Sequence, residues 1–440
     1  MKRRGFTIVE IVIVITVIAI VAAIVVVGYG AWQTSVAKKQ VKSDLTGVVA
    51  GMESARNFSE DGYPVFLEDT EFDDSSTIFQ PSEDVSILYV RGDEKSYCIQ
   101  VTSNLHPEIV YFMNSANGNT ELKEGECPPS PNNGVVTTVI NGGVLDYPTG
   151  IAVDAQKNLY VAETNKDRIL KITQAGVTTV LAGGTAGYLD GTGAAARFDT
   201  PYGVAVDASG YVYVVDYGNS RIRKISPAGV VTTLAGSSSG YANGTGAAAR
   251  FNDPYAVVVD PITNNLYITE TGNQRVRMVT QAGVVTSLAG QSTGYQDGTG
   301  TAARFDDPVG IAIHSDGNIF VVETGNDKIR KITSTGVVTT VAGAATGFLD
   351  AVGTSARFNG PTGIGIRGNI AYIADSWNNR VRMLNTKTGK VVTLAGSGGA
   401  GDVDATGTGA QFNFPTGIAV SNDDVVYIVE SNAGQIRRIE

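Results

Sequence analysis

An acidic residue recurs at one point of a repeated segment that fills the C-terminal part of the chain. The six acids are Glu163, Asp216, Glu270, Glu323, Asp375 and Glu430. The residue five positions after each acid is Arg168, Arg221, Arg275, Lys328 or Arg380, with Gln435 as the exception in the last repeat. This spacing predicts an ion pair across a tight turn. The alternative is that the six carboxylates surround the mouth of a channel, where they attract a cation.

Prolines mark the period of the repeat. They are Pro148, Pro201, Pro254, Pro308, Pro361 and Pro415, spaced 53 or 54 residues apart. Such a period is typical of a propeller or a solenoid. Each repeat has four short strand-like runs, which in the second repeat are GVAVD, YVYVVD, RIRKIS and VVTTLAG, with turn-forming residues between them. We name these runs strands a, b, c and d and predict a four-stranded antiparallel meander.

The first and last runs of the region distinguish a closed ring from an open stack. The region starts at residue 134 with a d-type run, GVVTTVI, and its last run at 435–439 is c-type, QIRRI. Runs a, b and c each occur six times, and so does run d. We therefore predict a six-bladed propeller in which the first strand completes the last blade, because this pairing leaves no half-finished blade.

The repeat sequence resembles that of a known family. P-x-G-[IV]-A-V-D, LYVAET, N-x-R-[IV]-R-K-I and G-V-V-T-T-L-A-G are similar to NHL repeats, and D-G-T-G-A-A-A-R-F between repeats is shared by many of them. The resemblance covers residues 134–440 and implies an all-β six-bladed NHL-type β-propeller over residues 135–440. It leaves function open, because such propellers serve as lyases, RNA-binding proteins and protein-binding scaffolds.

Antiparallel strands place the b–c and d–a connections on one face of the propeller, and residue 134 enters at the other. We therefore expect the face with the long d–a connections to point away from the N-terminal part, and we call it the distal face. Its candidate binding residues are Tyr202, Tyr217, Tyr255 and Trp377 together with the six acids. The loop aromatics Tyr188, Tyr241, Tyr295 and Phe348 are expected there as well. Exposed aromatics among Asn, Asp and Gly are typical of a recognition surface, and packing within the loops is the alternative.

One d–a connection is shorter than the others. Residues 141–147 form 7 residues of connection, whereas residues 184–200 form 17. We expect this difference to leave a notch in the distal rim between the last blade and the first.

The N-terminus has a carboxylate at the edge of an apolar run. Glu10 precedes a stretch without charge from Ile11 to Ala37, and Lys2, Arg3 and Arg4 precede Glu10. About 20 apolar residues cross a bilayer as a helix, and basic flanks stay in the cytoplasm. We predict a membrane helix over about 7–31 that continues to about 58, with the C-terminus outside. A cleaved signal peptide and a plain anchor are the alternatives.

The first residues, KRRGFTIVE before the apolar run, closely resemble the class III signal of type IV pilins and pseudopilins. The resemblance implies that prepilin peptidase removes residues 1–5 by cutting after Gly5 and that Phe6 becomes the methylated terminus. Glu10 then matches the glutamate of the family. A carboxylate in lipid is costly alone, so pairing with the Phe6 amine of a neighbouring subunit would make Glu10 an assembly residue.

Residues 6–128 are expected to form a pilin-like α+β domain, with residues 129–134 as a linker. Three strands are predicted at 85–91, 96–102 and 109–113. Cys98 and Cys127 are the only cysteines, and in an exported domain they indicate one disulfide, as pilins often have. Two unpaired thiols are the alternative. The acid-rich stretch 68–84 fits a solvated loop better than a calcium site, because its spacing matches no EF-hand.

Composition limits the chemistry. The chain of 440 residues has 2 His and 2 Cys, too few for a zinc centre built from these ligands. Residues 134–440 hold 23 basic and 25 acidic side chains, so no basic surface for nucleic acid is expected. G-x-S-x-G and HExxH motifs are absent. We therefore expect no enzyme activity and no cofactor, with calcium as the open possibility.

Together these features predict a minor or tip subunit of a type IV pilus or pseudopilus. It would await assembly in the bacterial cytoplasmic membrane as a single-pass protein and then enter an extracellular filament or the cell surface. Its predicted partners are prepilin peptidase, other pilin subunits, and an extracellular glycan or protein bound by the propeller. The alternatives are a pseudopilin of a secretion or DNA-uptake machine and a membrane-anchored propeller enzyme of the lyase or lactonase type.

Overall fold

The computed structural model describes residues 38–39, 42–43, four strands between residues 85 and 124, and all of residues 134–440. The chain divides into two compact units, Met1–Ser130 and Pro131–Glu440. The predicted leader, membrane helix, linker and acid-rich loop lie outside the described residues. Among the residues that are described, no helix is both long and apolar enough to cross a membrane.

The N-terminal unit contains a four-stranded antiparallel sheet in the order β1–β2–β3–β4. Its strands are β1 Val85–Gly92, β2 Tyr97–Ser103, β3 Val110–Asn114 and β4 Leu122–Glu124. The first three match the strands expected from the sequence, and β4 was not predicted. Residues 38–39 and 42–43 are helical.

The second unit is a six-bladed β-propeller, which confirms the predicted fold of this region. We number the blades 1 to 6 by their inner strand. The inner strands a are Pro148–Val153, Pro201–Val206, Pro254–Val259, Pro308–Ile313, Pro361–Arg367 and Pro415–Val420. The strands b are Leu159–Glu163, Val212–Asp216, Leu266–Glu270, Ile319–Glu323, Ile370–Asp375 and Val426–Glu430.

Strands c and d complete each blade towards the rim. The strands c are Arg168–Ile172, Arg221–Ile225, Arg275–Val279, Lys328–Ile332, Arg380–Asn385 and Gln435–Ile439. The strands d of blades 1 to 5 are Thr178–Gly183, Val230–Gly236, Val284–Ala289, Val337–Ala342 and Val391–Ala395.

Blade 6 takes its outer strand from the start of the propeller sequence. Val136–Ile140 pairs with Gln435–Ile439 in an antiparallel register that sets Thr138 opposite Arg437. Backbone bonds between Val135 and Glu440 extend this pairing in both directions, at 3.0 and 3.1 Å. The ring is therefore closed by strands about 300 residues apart in sequence, as the order of the runs predicts.

The core of the propeller lies between neighbouring blades. Every residue of strand b is buried in most blades, because each strand b packs against blades on both sides. One phenylalanine of each long d–a connection is fully buried beside them, namely Phe198, Phe251, Phe305, Phe358 and Phe412. Removing a buried Phe from such a site costs about 3–5 kcal/mol, so these side chains anchor the connections.

The long d–a connections do more than link two blades. Each crosses to the rim of the following blade, and three add a short fifth strand there, Gly191–Thr192, Gly244–Thr245 and Gly298–Thr299. Two others make single bridges, Val352 to Lys390 and Thr406 to Val135. The connection at 141–147 is too short to do this, and the sheet of blade 1 ends at Thr178–Gly183.

Single 3-10 turns accompany these connections and two of the b–c turns. They are Thr164–Lys166, Gly193–Ala195, Gly246–Ala248, Gly300–Ala302, Gly353–Ser355, Ser376–Asn378 and Gly407–Gly409.

Candidate functional site

The central channel is narrow because the six strands a approach one another closely. A Cβ on Gly310 or Gly363 would collide with the carbonyl oxygen of the next blade, that of Thr362 or Thr416. The channel holds a cavity of about 90 Å³ whose lining includes Tyr202 and Tyr255. A typical ligand pocket has about 300–1,000 Å³, so a ligand of ordinary size has to bind at the mouth.

The six acids at the end of strand b do not ring this mouth as free carboxylates. All are at most 1% exposed. In blades 2 to 5 each is bound at 2.6–2.7 Å by the arginine seven residues later, and the interacting arginines are Arg223, Arg277, Arg330 and Arg382. Arg437 contacts Glu430 at 3.4 Å in blade 6. The acids are therefore interior structural groups and are not part of an exposed binding face.

The ion pair predicted from the spacing of five occurs in one blade. Arg168 Nε donates to Glu163 at 2.5 Å in blade 1. In the other blades the partner was misassigned, because the sequence comparison considered the first basic residue of strand c and overlooked the second. The motif R-x-R in three repeats and K-x-R in a fourth carried the missing signal. Burial raises the pKa of Asp216, Glu270, Glu323, Asp375 and Glu430.

The buried arginines hold the long connections in place. In blade 2, Arg223 donates to the carbonyl oxygens of Arg197 and Leu189 and to the Asp190 carboxylate. Blades 3 to 6 repeat this set with Arg277, Arg330, Arg382 and Arg437, where Asn243 takes the place of the Asp in blade 3. Each guanidinium therefore ties a strand b acid to the connection that covers its own blade.

The loop aromatics pack against the cations of strand c. Tyr188 lies under two cations, with the guanidinium carbons of Arg221 and Arg223 at 4.0 and 5.0 Å from the ring centroid. Tyr241, Tyr295 and Phe348 are stacked in the same way in blades 3 to 5. These rings are 44–50% exposed. Cation–π contact explains why aromatics recur at this position, so their recurrence is not evidence of recognition.

A ring of hydroxyl groups joins neighbouring blades at the distal mouth. In four blades the residue after the strand b acid has a hydroxyl group that donates to the proline carbonyl oxygen of the next blade, at 2.6–2.8 Å. These residues are Thr164, Thr324, Ser376 and Ser431. Blade 3 has Thr271, which donates to Asp253 of its own connection instead. Blade 2 has Tyr217. The pattern is therefore broken in the sector of blades 2 and 3.

Three of the predicted binding residues meet in this sector. The Tyr202 and Tyr217 rings are stacked with centroids 4.4 Å apart, and Tyr255 packs edge-on against Tyr202 at 5.0 Å. Burial raises the pKa of all three phenols, and the Asp253 carboxylate raises the pKa of Tyr217 further. Tyr147, 40% exposed, is close enough to raise the pKa of Tyr202 and Tyr255 further. We call these four residues the tyrosine cluster.

Trp377 belongs to a different sector. Its indole is 64% exposed in the b–c turn of blade 5 and packs edge-on against Phe414 at 5.4 Å. Tyr147 joined the cluster without being predicted. The signal that could have identified it is the short connection 141–147, which ends at Tyr147 beside the first blade proline.

Most of the remaining predicted site residues are not among those that the structure describes. Gly5, Phe6, Glu10 and Cys127 lie outside the described residues, and Cys98 is placed in β2. Within the part of the chain that the structure describes, no group of three or more His, Cys, Asp or Glu side chains is arranged to hold a metal ion.

Comparisons with known proteins match the propeller and the N-terminal signal motif. The family profile of the Teneurin NHL domain matches residues 186–291, and that of the prokaryotic N-terminal methylation motif matches residues 1–26. NHL repeat-containing protein 2 of Bos taurus is 27% identical over 363 residues, covering 73% of this chain and 48% of that protein. Protein SUPPRESSOR OF QUENCHING 1, chloroplastic, of Arabidopsis thaliana is 28% identical over 322 residues, covering 67% and 30%. The chain thus spans half or less of the length of these relatives.

Solved structures show the same fold at low identity. An auxiliary nutrient binding protein from Bacteroides thetaiotaomicron has a TM-score of 0.54 at 15% identity, covering 80% of this chain and 85% of its own. The Bacteroides ovatus protein of the same description has a TM-score of 0.52 at 17% identity, covering 81% and 88%.

The fold is a six-bladed β-propeller, and its repeats are similar to those of NHL-repeat proteins. This chain joins such a propeller to the N-terminal signal motif of type IV pilins. The motif implies processing by prepilin peptidase, anchoring in the membrane and assembly with other pilins. The combination supports a propeller displayed at the cell surface.

Proposed function

We propose that the chain is a minor or tip subunit of a type IV pilus or pseudopilus and that its propeller recognises an extracellular glycan or protein. The observation that carries recognition is the tyrosine cluster. It replaces the hydroxyl bonds that join other blades, and such a bond is worth about 1 kcal/mol. Departures from a repeat rule that sacrifice local bonding are expected at functional sites.

The chemistry of the cluster supports binding by stacking. Tyr202, Tyr217 and Tyr255 present ring surface together with phenol hydroxyls, and their raised pKa values keep the hydroxyls neutral and able to donate. Tyrosines in a central cluster are frequent energetic anchors of recognition surfaces. Within residues 134–440 the single histidine is His314, which follows strand a of blade 4 on the face opposite to the cluster. We therefore propose binding rather than catalysis.

Binding can be tested with variants that copy a neighbouring blade. Tyr202→Thr and Tyr217→Thr reproduce the Thr149 and Thr164 pair of blade 1, which is joined by a 2.8 Å hydrogen bond. The full chain in detergent would be applied to arrays of glycans and extracellular proteins. We expect the double variant to lose at least tenfold in affinity for the ligands of the wild-type chain.

Trp377→Asn is the control, because it removes another distal aromatic, one that is more exposed than Tyr202 and Tyr217, and copies Asn165 of blade 1. Loss of binding in the control with retention in the tyrosine variant would move the site to blade 5. The pH profile of binding should be flat from pH 6 to 9, because the phenol pKa values are raised from an ordinary value near 10.

The pilus route has an independent test. The intact mass of the mature protein from native membranes should correspond to cleavage after Gly5 with one methyl group on Phe6. Glu10→Ala should be processed in the same way yet be missing from sheared filaments. An intact Met1 terminus would contradict the pilin route and would leave recognition by an anchored propeller standing.

A further inference from the structure

A cavity of about 670 Å³ opens at the distal edge of blade 6. Its walls include Asn141 and Gly142 after strand d, Asp402 of the connection from blade 5, and Ala433 and Gln435 at the b–c turn. We call it the blade 6 niche. Its volume falls within the range of ordinary ligand pockets, and it is separate from the tyrosine cluster of blades 2 and 3.

The same place is filled in blades 2 to 5. There the first cation of strand c lies over the loop aromatic, with the charged group 3.9–4.7 Å from the ring centroid. The equivalent residues of blade 6 are Gln435 and Asp402. Gln435 pairs with Glu430 in the register in which Arg221 pairs with Asp216. Asp402 precedes Val403, whose carbonyl binds Arg437, as Tyr188 precedes Leu189, whose carbonyl binds Arg223.

Blade 6 retains the acceptors that the missing cation uses elsewhere. Arg380 donates to the carbonyl oxygen of Asn378 in its b–c turn and to that of Ser397 just after strand d. The counterparts of these two residues in blade 6 are Ala433 and Gly142, and both line the niche. The Ala433 oxygen accepts one bond, from Gly143 N at 2.8 Å, and a carbonyl oxygen has two lone pairs.

The blade 6 niche is also more negatively charged than the corresponding place in blades 2 to 5. Relative to blades 2 to 5, Gln435 replaces a cation, Gln411 replaces the recurrent arginine of the connection, and Asp402 replaces a neutral ring. Gln435 is only 2% exposed and donates to the Glu430 carboxylate. Arg437 is farther from this carboxylate than its counterparts, at 3.4 Å against 2.6–2.7 Å. The niche therefore favours a positively charged occupant.

We propose that the blade 6 niche binds a guanidinium group from outside the chain, supplied by an arginine side chain of another protein. The guanidinium takes the place that arginine occupies in blades 2, 3 and 5. The Asp402 carboxylate accepts its charge-assisted hydrogen bonds, and the carbonyl groups of Ala433 and Gly142 accept the remaining N–H groups. The volume beyond the guanidinium leaves room for the peptide that carries it.

The test uses the full chain in detergent with acetyl-arginine amide as the probe. Acetyl-citrulline amide, which has nearly the same shape without the charge, is the control ligand. Calorimetry or ligand-observed NMR should give one site with a Kd on the order of millimolar for the arginine probe. Citrulline should bind at least tenfold more weakly. Equal binding of the two probes would overturn the proposal.

Variants locate the site. Asp402→Tyr with Gln435→Arg rebuilds the stack of blades 2 to 5, so it should fill the niche and abolish binding. Tyr188→Asp with Arg221→Gln should open a second niche in blade 2 and raise the stoichiometry from one towards two. If the filled variant fails to fold, Asp402→Asn should still weaken binding about tenfold. Full binding by a folded filled variant, or by Asp402→Asn, would overturn the proposal.

Discussion

Blades 1 and 2 have matching strands, but they differ seven residues after the acid that ends strand b. Blade 2 has Arg223 there, fully buried, and blade 1 has Leu170, 2% exposed. They also differ at the rim, because Gly191–Thr192 covers the outer strand of blade 2 and no strand covers that of blade 1. The two differences have the same cause, because the Arg223 guanidinium donates to the carbonyl oxygens of Leu189 and Arg197, which belong to the covering connection.

Blade 1 therefore shows which parts of the repeat depend on each other. Its connection at 141–147 is too short to reach a rim, so an arginine at position 170 would lack its acceptors. Leucine replaces it, and Glu163 turns to Arg168 for charge compensation. Replacing a complete buried ionic group by apolar residues is often neutral in stability, whereas removing one partner costs several kcal/mol.

The largest effect on stability is expected when the leucine of blade 1 is introduced at the arginine position of a blade that has a covering connection. Arg277→Leu leaves the Glu270 carboxylate buried without its ion pair and frees two carbonyl groups of the connection. We expect a loss of about 3–5 kcal/mol in the free energy of unfolding, measured by chemical denaturation. Leu170→Met in blade 1 is the control and should cost below about 1.5 kcal/mol. A loss below about 1 kcal/mol for Arg277→Leu would mean that the arginine is dispensable.

A double-mutant cycle should sharpen the comparison. Glu270→Gln in the Arg277→Leu background removes the unpaired charge, and the coupling energy between the two sites should be about 2 kcal/mol. The same cycle on Glu163 and Arg168 of blade 1 should give below about 1 kcal/mol, because the Arg168 side chain is 33% exposed and screened by solvent. Equal coupling energies in the two blades would contradict this account.

Hydrogen exchange should distinguish the two rims. The outer strand of blade 2 is paired through Val230 and Val231, whereas the equivalent residues of blade 1, Val177 and Thr178, are exposed and have no covering strand. We expect outward-facing amides of Thr178–Gly183 to exchange about tenfold faster than those of Val230–Gly236. Peptide-resolved mass spectrometry on the full chain measures both in one experiment. Equal protection would mean that something else covers blade 1.

The smallest effect is expected from the stacked aromatics. Tyr241→Ala removes a ring that lies under Arg275 and Arg277, at 4.1 and 5.0 Å. Because the ring is 46% exposed, we expect a loss of about 1 kcal/mol in the free energy of unfolding. Val177→Ala in blade 1, at a 57% exposed position, should change it by less than about 0.5 kcal/mol.

Much of the propeller could be predicted from the sequence, because its information is repeated. The period of the prolines gave the number of blades, and the order of strand types gave the closure by Val136–Ile140. Tyr202, Tyr217 and Tyr255 were expected on one face from their positions after the blade prolines and in a b–c turn, whereas their convergence into a cluster was not predicted.

The crossing of connections to the next blade was not predictable from periodicity, since it depends on contacts between different repeats. The pairing of Asp216 with Arg223 was missed because opposite-charge pairs were sought at the nearest spacing. A comparison of the residues seven positions after each strand b acid would have found five arginines and Leu170. It would also have shown that the exceptional repeat follows the short connection.

The closure of blade 6 gives the propeller an unusual order of assembly. Val136 has to find Ile439, so the loop between these contacts includes nearly the whole domain. Contacts this distant are slow to form, because the entropy of closing the loop is lost before the contact stabilises it. Blades 1 to 5 can form from strands that are contiguous in sequence, but strand d of blade 6 stays without its partner until Gln435–Ile439 is in place. Val136–Ile140 is therefore the strand that stays unpaired longest during folding, with its edge open to other chains.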